Sequence, residues 1–149
     1  MRLTKISMRI NAAIALVPLI ATACCLLAAD KPSDAAASLA KVKSFAFGGI
    51  GVAGTPSPSE AHFRTVLAHS NALAEFRGVL ANGTPEAKLY ALCGIRILDP
   101  ASFEAAAEPL KKSNPTVETI GGCIIMKVPA AGVVTNIAAG RYDIHWKKR

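Results

Sequence analysis

Between residues 57 and 112 the apolar positions recur every three or four residues, the repeat of helices that bury one face. The centre of this run is FRGVLANGTPEAKLYALCGIRILDP, residues 76–100, which holds the end of one helix, a tight turn and a complete second helix. Asn82 and Gly83 stop the first helix. Thr84 is an N-cap, Pro85 has the φ of a first helical position, and Glu86 suits the positive helix start. In the second helix Leu89, Leu92, Cys93 and Ile97 share a face with Tyr90 beside them, while Lys88 and Arg96 point outward along their stems. Asp99 and Pro100 end it and open another helix.

Upstream, Ser57, Pro58 and Glu60 have the form of a capping box. Phe63, Val66, Leu67, Leu73, Phe76, Val79 and Leu80 continue the helical spacing, and Ser70-Asn71 is a point where that run divides. Downstream, Phe103, Ala106, Ala107 and Leu110 make the face of a helix over 100–112, with Pro109 bending or fraying its end before a Ser113-Asn114-Pro115 turn.

Two stretches depart from this period. Residues 41–47 alternate around Val42, Phe45 and Phe47, and residues 116–128, TVETIGGCIIMKV, are β-branched around a Gly121-Gly122 break, either one bulged strand or two short ones. Each is the other's available sheet partner. Val133, Val134, Ile137 and Ala138 before Gly140 fit a last short helix or further β structure. The fold class expected is mainly α with a small β element (α+β), short antiparallel helices packed with one or two short strands.

The N-terminus has the pattern of a signal peptide over residues 1–29: Arg2, Lys5 and Arg9 precede a charge-free apolar stretch over 12–29. Cleavage before Cys24, preceded by Ala21-Thr22-Ala23, makes Cys24 a lipidation site and anchors the chain to a membrane; cleavage before Asp30 releases a soluble chain. Both exits stay open, and both place the protein outside the cytoplasm, as a periplasmic, lipid-anchored or secreted chain. Residues 30–40 are small and polar enough for a tether, and residues 41–149 suffice for a single small globular domain.

Three of the 17 Lys and Arg residues lie in the leader, so a processed chain carries 14 against 10 Asp and Glu, and most of that excess sits in the last nine residues. The body is nearly neutral, which excludes the broad basic face of a nucleic-acid binder. The tail RYDIHWKKR combines Tyr142 and Trp146 with Lys147, Lys148 and Arg149. It reads either as a surface contact for an anionic membrane or acidic partner, or as a terminus with Trp146 folded back on the domain.

Of four cysteines only Cys93 and Cys123 belong to the domain. Outside the cytoplasm a disulfide between them would close a loop of about 30 residues and stabilise the fold by roughly 3–4 kcal/mol; two free thiols in an apolar core fit their neighbourhoods, YALCGI and GGCIIM, equally well. Gly49, Gly51 and Gly54 match GxGxxG, but Thr55-Pro56-Ser57-Pro58 interrupts where a dinucleotide site needs a helix to open, so they read as a close-packed turn. His62 and His69, expected on one helix, stand about 10.5 Å apart, too far for one zinc ion. No catalytic, metal or cofactor residues are assigned, and no cofactor is expected.

The pair of helices around residues 76–100 resembles a HEAT-type α-solenoid pair, with no second copy of the pattern in the chain. FAFGGIGVAGT, NGTPEAKLYAL and GGCII together resemble a group of small secreted bacterial proteins that carry no assigned activity, a resemblance that implies an exported helical domain. The function expected is non-enzymatic, binding an envelope protein partner or serving a structural role. The alternative is an envelope enzyme or thiol-based factor using Cys93 or Cys123 with a histidine.

Overall fold

A computed structural model describes residues 33–146. The leader, Cys24 with both cleavage sites, and residues 147–149 lie outside them. The described residues form six α-helices and two antiparallel two-stranded sheets, an α+β fold as expected.

Order begins earlier than expected. Residues 33–40, assigned to a tether, fold as α1 (Asp34–Leu39), with the Ser33 hydroxyl accepting the Ala36 N–H at 3.1 Å and Ala36 and Leu39 fully buried. Alanines carry the highest helix propensity, and Ala36 and Leu39, three apart, present one apolar stripe to the helices below. The strand expected over residues 41–47 shrinks to one parallel bridge, Phe45 to Thr119. Its neighbour Ala46 is withdrawn from any ladder because the Tyr90 hydroxyl takes both its backbone groups, donating to the C=O at 2.7 Å and accepting from the N–H at 2.8 Å.

The glycine-rich stretch is a hairpin of β1 (Gly49–Ile50) and β2 (Thr55–Pro56). A Cβ on Gly49 would lie 2.5 Å from the Gly54 carbonyl oxygen, and Gly51 and Gly54 have positive φ, so these glycines serve the turn and close backbone approach. Ser57 then caps α2 (Pro58–Leu67), accepting the Glu60 N–H at 3.0 Å. Only half of the capping box forms, because the Glu60 carboxylate turns instead to the Gly48 N–H at 2.8 Å. The run divides at Ser70-Asn71, and α3 (Ala72–Asn82) follows.

Thr84 caps α4 (Pro85–Leu98) as expected, accepting the Ala87 N–H at 3.1 Å. Every residue from Leu89 to Ile95 is buried, more than the single face expected, because α2 and α3 cover one side and α5 (Phe103–Ser113) with α6 (Ala130–Ala138) the other. A helix apolar on all sides is one that packs on all sides. Leu92→Ala should therefore destabilise by about 2–5 kcal/mol through lost transfer free energy and a cavity, against well under ~1 kcal/mol for Lys88→Ala. Denaturant melts showing equal losses would mean the helix is rotated from this arrangement.

Helix α5 continues through Pro109 rather than ending there, since the carbonyl its missing N–H would have served belongs to Ala105, which is exposed and not buried without a partner in the core. Asn114, at φ 42°, stops the helix in the left-handed conformation and its Oδ1 accepts the Ala131 N–H at 3.0 Å in the first turn of α6. Between them, β3 (Thr116–Gly121) and β4 (Ile124–Pro129) form a hairpin closed by Gly122 and Cys123. Gly122 at φ 59° supplies the positive φ that a two-residue hairpin turn requires at its first position. The Val133–Ile137 segment is helical because Val133, Val134 and Ile137 share the face that packs on α4.

Candidate functional site

The sequence offered cysteines, histidines and the tail, and the structure scatters them. Cys93 is fully buried within α4 and Cys123 is exposed at the tip of the β3–β4 hairpin, both with free thiols. Of the two arrangements open from the sequence, a bridge or two thiols in an apolar core, the structure has no bridge and places only Cys93 in the core. Similar apolar neighbourhoods end in opposite places because one lies on the central helix and the other on an outer turn. Burial pushes the Cys93 thiol well above its ordinary range, the reverse of what a thiolate nucleophile needs.

His62 lies on α2, but that helix ends at Leu67, so His69 is not on the same helix. His69 Nδ1 sits 3.2 Å from both oxygens of nearly buried Glu75, which also accepts the Ser33 hydroxyl at 2.6 Å. The Ser33 hydroxyl donates to the carboxylate and not to the imidazole, so no serine–histidine pair forms, and the cluster ties α1 to α3. Among the described residues no group of three or more His, Cys, Asp or Glu side chains is placed to hold a metal ion.

The described part of the tail, residues 141–146, packs on the fold. Trp146 packs on Phe47 and Phe63, with ring centroids 5.1 and 5.8 Å away, Tyr142 meets Phe45 edge-on at 5.1 Å, and His145 stacks on Phe47 at 5.7 Å. Arg96 bonds Asp143, and Arg64 donates to the His145 carbonyl while its guanidinium is held by Glu60 at 2.7 and 3.0 Å. Trp146, offered with Lys147, Lys148 and Arg149 as a surface contact, is thus engaged by the domain, and the last three lie outside the described residues. Glu60, only 1% exposed, joins the segment before β1, helix α2 and, through Arg64, the tail. Its place three residues after a cap disguised this role.

What the structure exposes is apolar and lies on the hairpins. Val52 at the β1–β2 turn is fully exposed, and Ile124, Ile125 and Met126 on β4 are 63%, 64% and 48% exposed. The two hairpins are neighbours: Ile50 bridges Gly122 in parallel, and the Gly51 N–H donates to the Gly122 carbonyl at 2.9 Å. Consecutive residues of β4 are exposed on both faces, and among the described residues no strand pairs with its outer edge. Sequence reasoning missed this because IIM reads as core; only the solvated outer position of β4 shows otherwise. Elsewhere, a cleft of about 480 Å³ between α3, α4 and α5 has Leu80, Pro109 and Leu110 in its lining and Lys88 and Arg77 beside them, Arg77 being bonded to Asp99 at 2.9 Å.

An unpaired strand edge flanked by exposed aliphatic side chains is suited to backbone pairing with another strand, with apolar contacts setting the register. Protein-family models, curated proteins and solved structures all gave no match to this chain.

Proposed function

We propose that this protein is exported to the cell envelope and acts there by binding another polypeptide, with β4 as the docking strand. The observation that carries the reading is β4 itself, exposed on both faces and unpaired on its outer edge among the described residues while it carries Ile124, Ile125 and Met126. Isolated exposed aliphatics need no explanation, but three in a row on an open strand edge do, because that arrangement invites association unless a partner covers it. Export is supported by the basic n-region and the charge-free stretch over 12–29, which end in a lipid anchor at Cys24 or release before Asp30.

Crosslinked capture from the protein's own envelope tests this reading. The native chain should retain a defined partner that Ile125→Lys loses, while the melting temperature of the variant stays unchanged. Capture insensitive to Ile125→Lys would remove β4 from the function. Mass spectrometry of the captured chain should find Cys24 or Asp30 at its N-terminus, and a mature pool beginning at Met1 would overturn export. A thiol-based role rests on Cys123, the exposed cysteine of the domain. It is favoured only if Cys123 alkylates faster in the native protein than an ordinary exposed thiol.

A further inference from the structure

We propose that β4 pairs with the β4 of a second copy of this chain, antiparallel and centred on Met126, so that the two hairpins join into one continuous sheet. The inference rests on the reading of β4 as a docking strand and names its partner. The hairpin register decides which backbone groups are available. Gly121 and Ile124 close a two-residue turn and form a hydrogen-bonded pair; bonded and non-bonded pairs alternate along an antiparallel ladder, so Thr119–Met126 and Val117–Val128 are bonded as well. The N–H and C=O groups of Ile125 and Lys127 therefore point away from β3. The same alternation appears on the far side of β3, where the Glu118 carbonyl and the Ile120 N–H, from the non-bonded pairs, are taken by Phe45 at 2.8 and 3.0 Å.

A strand that presents donor and acceptor at Ile125 and again at Lys127 is complementary to itself when run antiparallel. Ile125 of each copy faces Lys127 of the other, and the two exchange both backbone hydrogen bonds about a two-fold axis at Met126. Such an interface closes on itself. Met126 then meets its counterpart in a non-bonded pair, where side chains approach most closely, and Ile124 packs against Val128 of the other copy.

Charge does not oppose the pairing. The strand's one cation, Lys127, stands opposite Glu118 within its own hairpin. Pro129 has no N–H to donate, which disfavours registers shifted toward that end. Ile124, Ile125 and Met126 expose on the order of 350 Å² per copy, so even their full burial in two copies, about 700 Å², stays below what a stable dimer needs, and the pairing is a weak and reversible association held mainly by the backbone ladder.

The test places a cysteine on the proposed axis. The full-length chain carrying Met126→Cys in a Cys123→Ser background is mildly oxidised and its cross-linked peptides are mapped by mass spectrometry. The expected product is a peptide joined to its own copy at position 126, with Val128→Cys giving little self-linkage because position 128 faces position 124 of the other copy. No self-linkage at 126, or equal linkage at 128, overturns the pairing. Lys127→Pro removes an outward N–H without touching a bond to β3, and should weaken self-association at least about tenfold in sedimentation with the circular dichroism unchanged. An unaltered dimer in that variant, or a native chain that stays monomeric at roughly millimolar concentration, also overturns it. A monomer whose β4 still captures a different envelope protein removes the second copy and leaves the docking reading standing.

Discussion

Gly94→Ala should destabilise the domain by about 2–3 kcal/mol and lower its melting temperature by roughly 10 °C or more, although alanine is the better helix former. The reason is the contact between α3 and α4. A Cβ built on Gly94 lies 2.3, 2.4 and 2.6 Å from ring atoms of Phe76, which is fully buried and also packs on Phe63 with ring centroids 5.4 Å apart. Neither ring has room to retreat, so the helices must separate or Phe76 must leave its rotamer. Gly78 on α3 has nothing within 4 Å of the same construction, and Gly78→Ala should stabilise by about 0.5–1 kcal/mol through helix propensity alone. Phe76→Leu combined with Gly94→Ala should cost less than the sum of the two single changes, since both act on one contact. If Gly94→Ala is tolerated as well as Gly78→Ala, α3 and α4 do not approach as described.

Tyr90→Phe should cost about 1–3 kcal/mol at neutral pH and should also change how the protein responds to alkali. The hydroxyl serves both backbone groups of Ala46, itself buried, so its removal leaves an N–H without that acceptor in the interior. Burial pushes the Tyr90 hydroxyl from 10.0 up to about 12, against the lowering effect of its hydrogen bond to Ala46. The folded state thus holds this proton more tightly than the unfolded chain does. The associated stability is complete below about pH 10 and is lost as pH rises through about 12, a loss on the order of 2–3 kcal/mol for a shift of this size. Cys93 and Tyr142 are shifted upward by burial too and add to the alkaline loss. Stability measured from pH 8 to pH 12 should fall less steeply in Tyr90→Phe than in the native protein; identical slopes would show that the hydroxyl is not held as described.

The helix starts were legible because their physics is local. Ser57-Pro58 and Thr84-Pro85 place a capping oxygen and a preset φ within a few residues of each other, and the structure caps α2 and α4 at those serine and threonine hydroxyls. The division at Ser70-Asn71 and the stop at Asn82-Gly83 were legible for the same reason. Where a local signal met a contact from farther along the chain, the longer-range contact won. Glu60 satisfied the capping-box spacing, yet the loop brought the Gly48 N–H within 2.8 Å and its carboxylate went there.

By itself, then, the sequence determined the α+β class, the starts of the main helices and the hairpin chemistry of its glycines, because propensity, capping and periodicity act over one or two turns. Periodicity also picked out the helix faces that are buried, Phe63, Phe76, Leu92 and Leu110 among them, but tertiary structure alone decided what those faces meet and which apolar residues outside the helices stay exposed. Tyr90 claims the backbone of a residue 44 positions away, Arg64 reaches a carbonyl 81 positions away, and Trp146 folds onto Phe47 and Phe63. Such contacts depend on which surfaces meet once the helices pack. A cysteine on the central helix is therefore buried while one on the outer hairpin is exposed, and IIM, with the composition of a core strand, becomes an open edge.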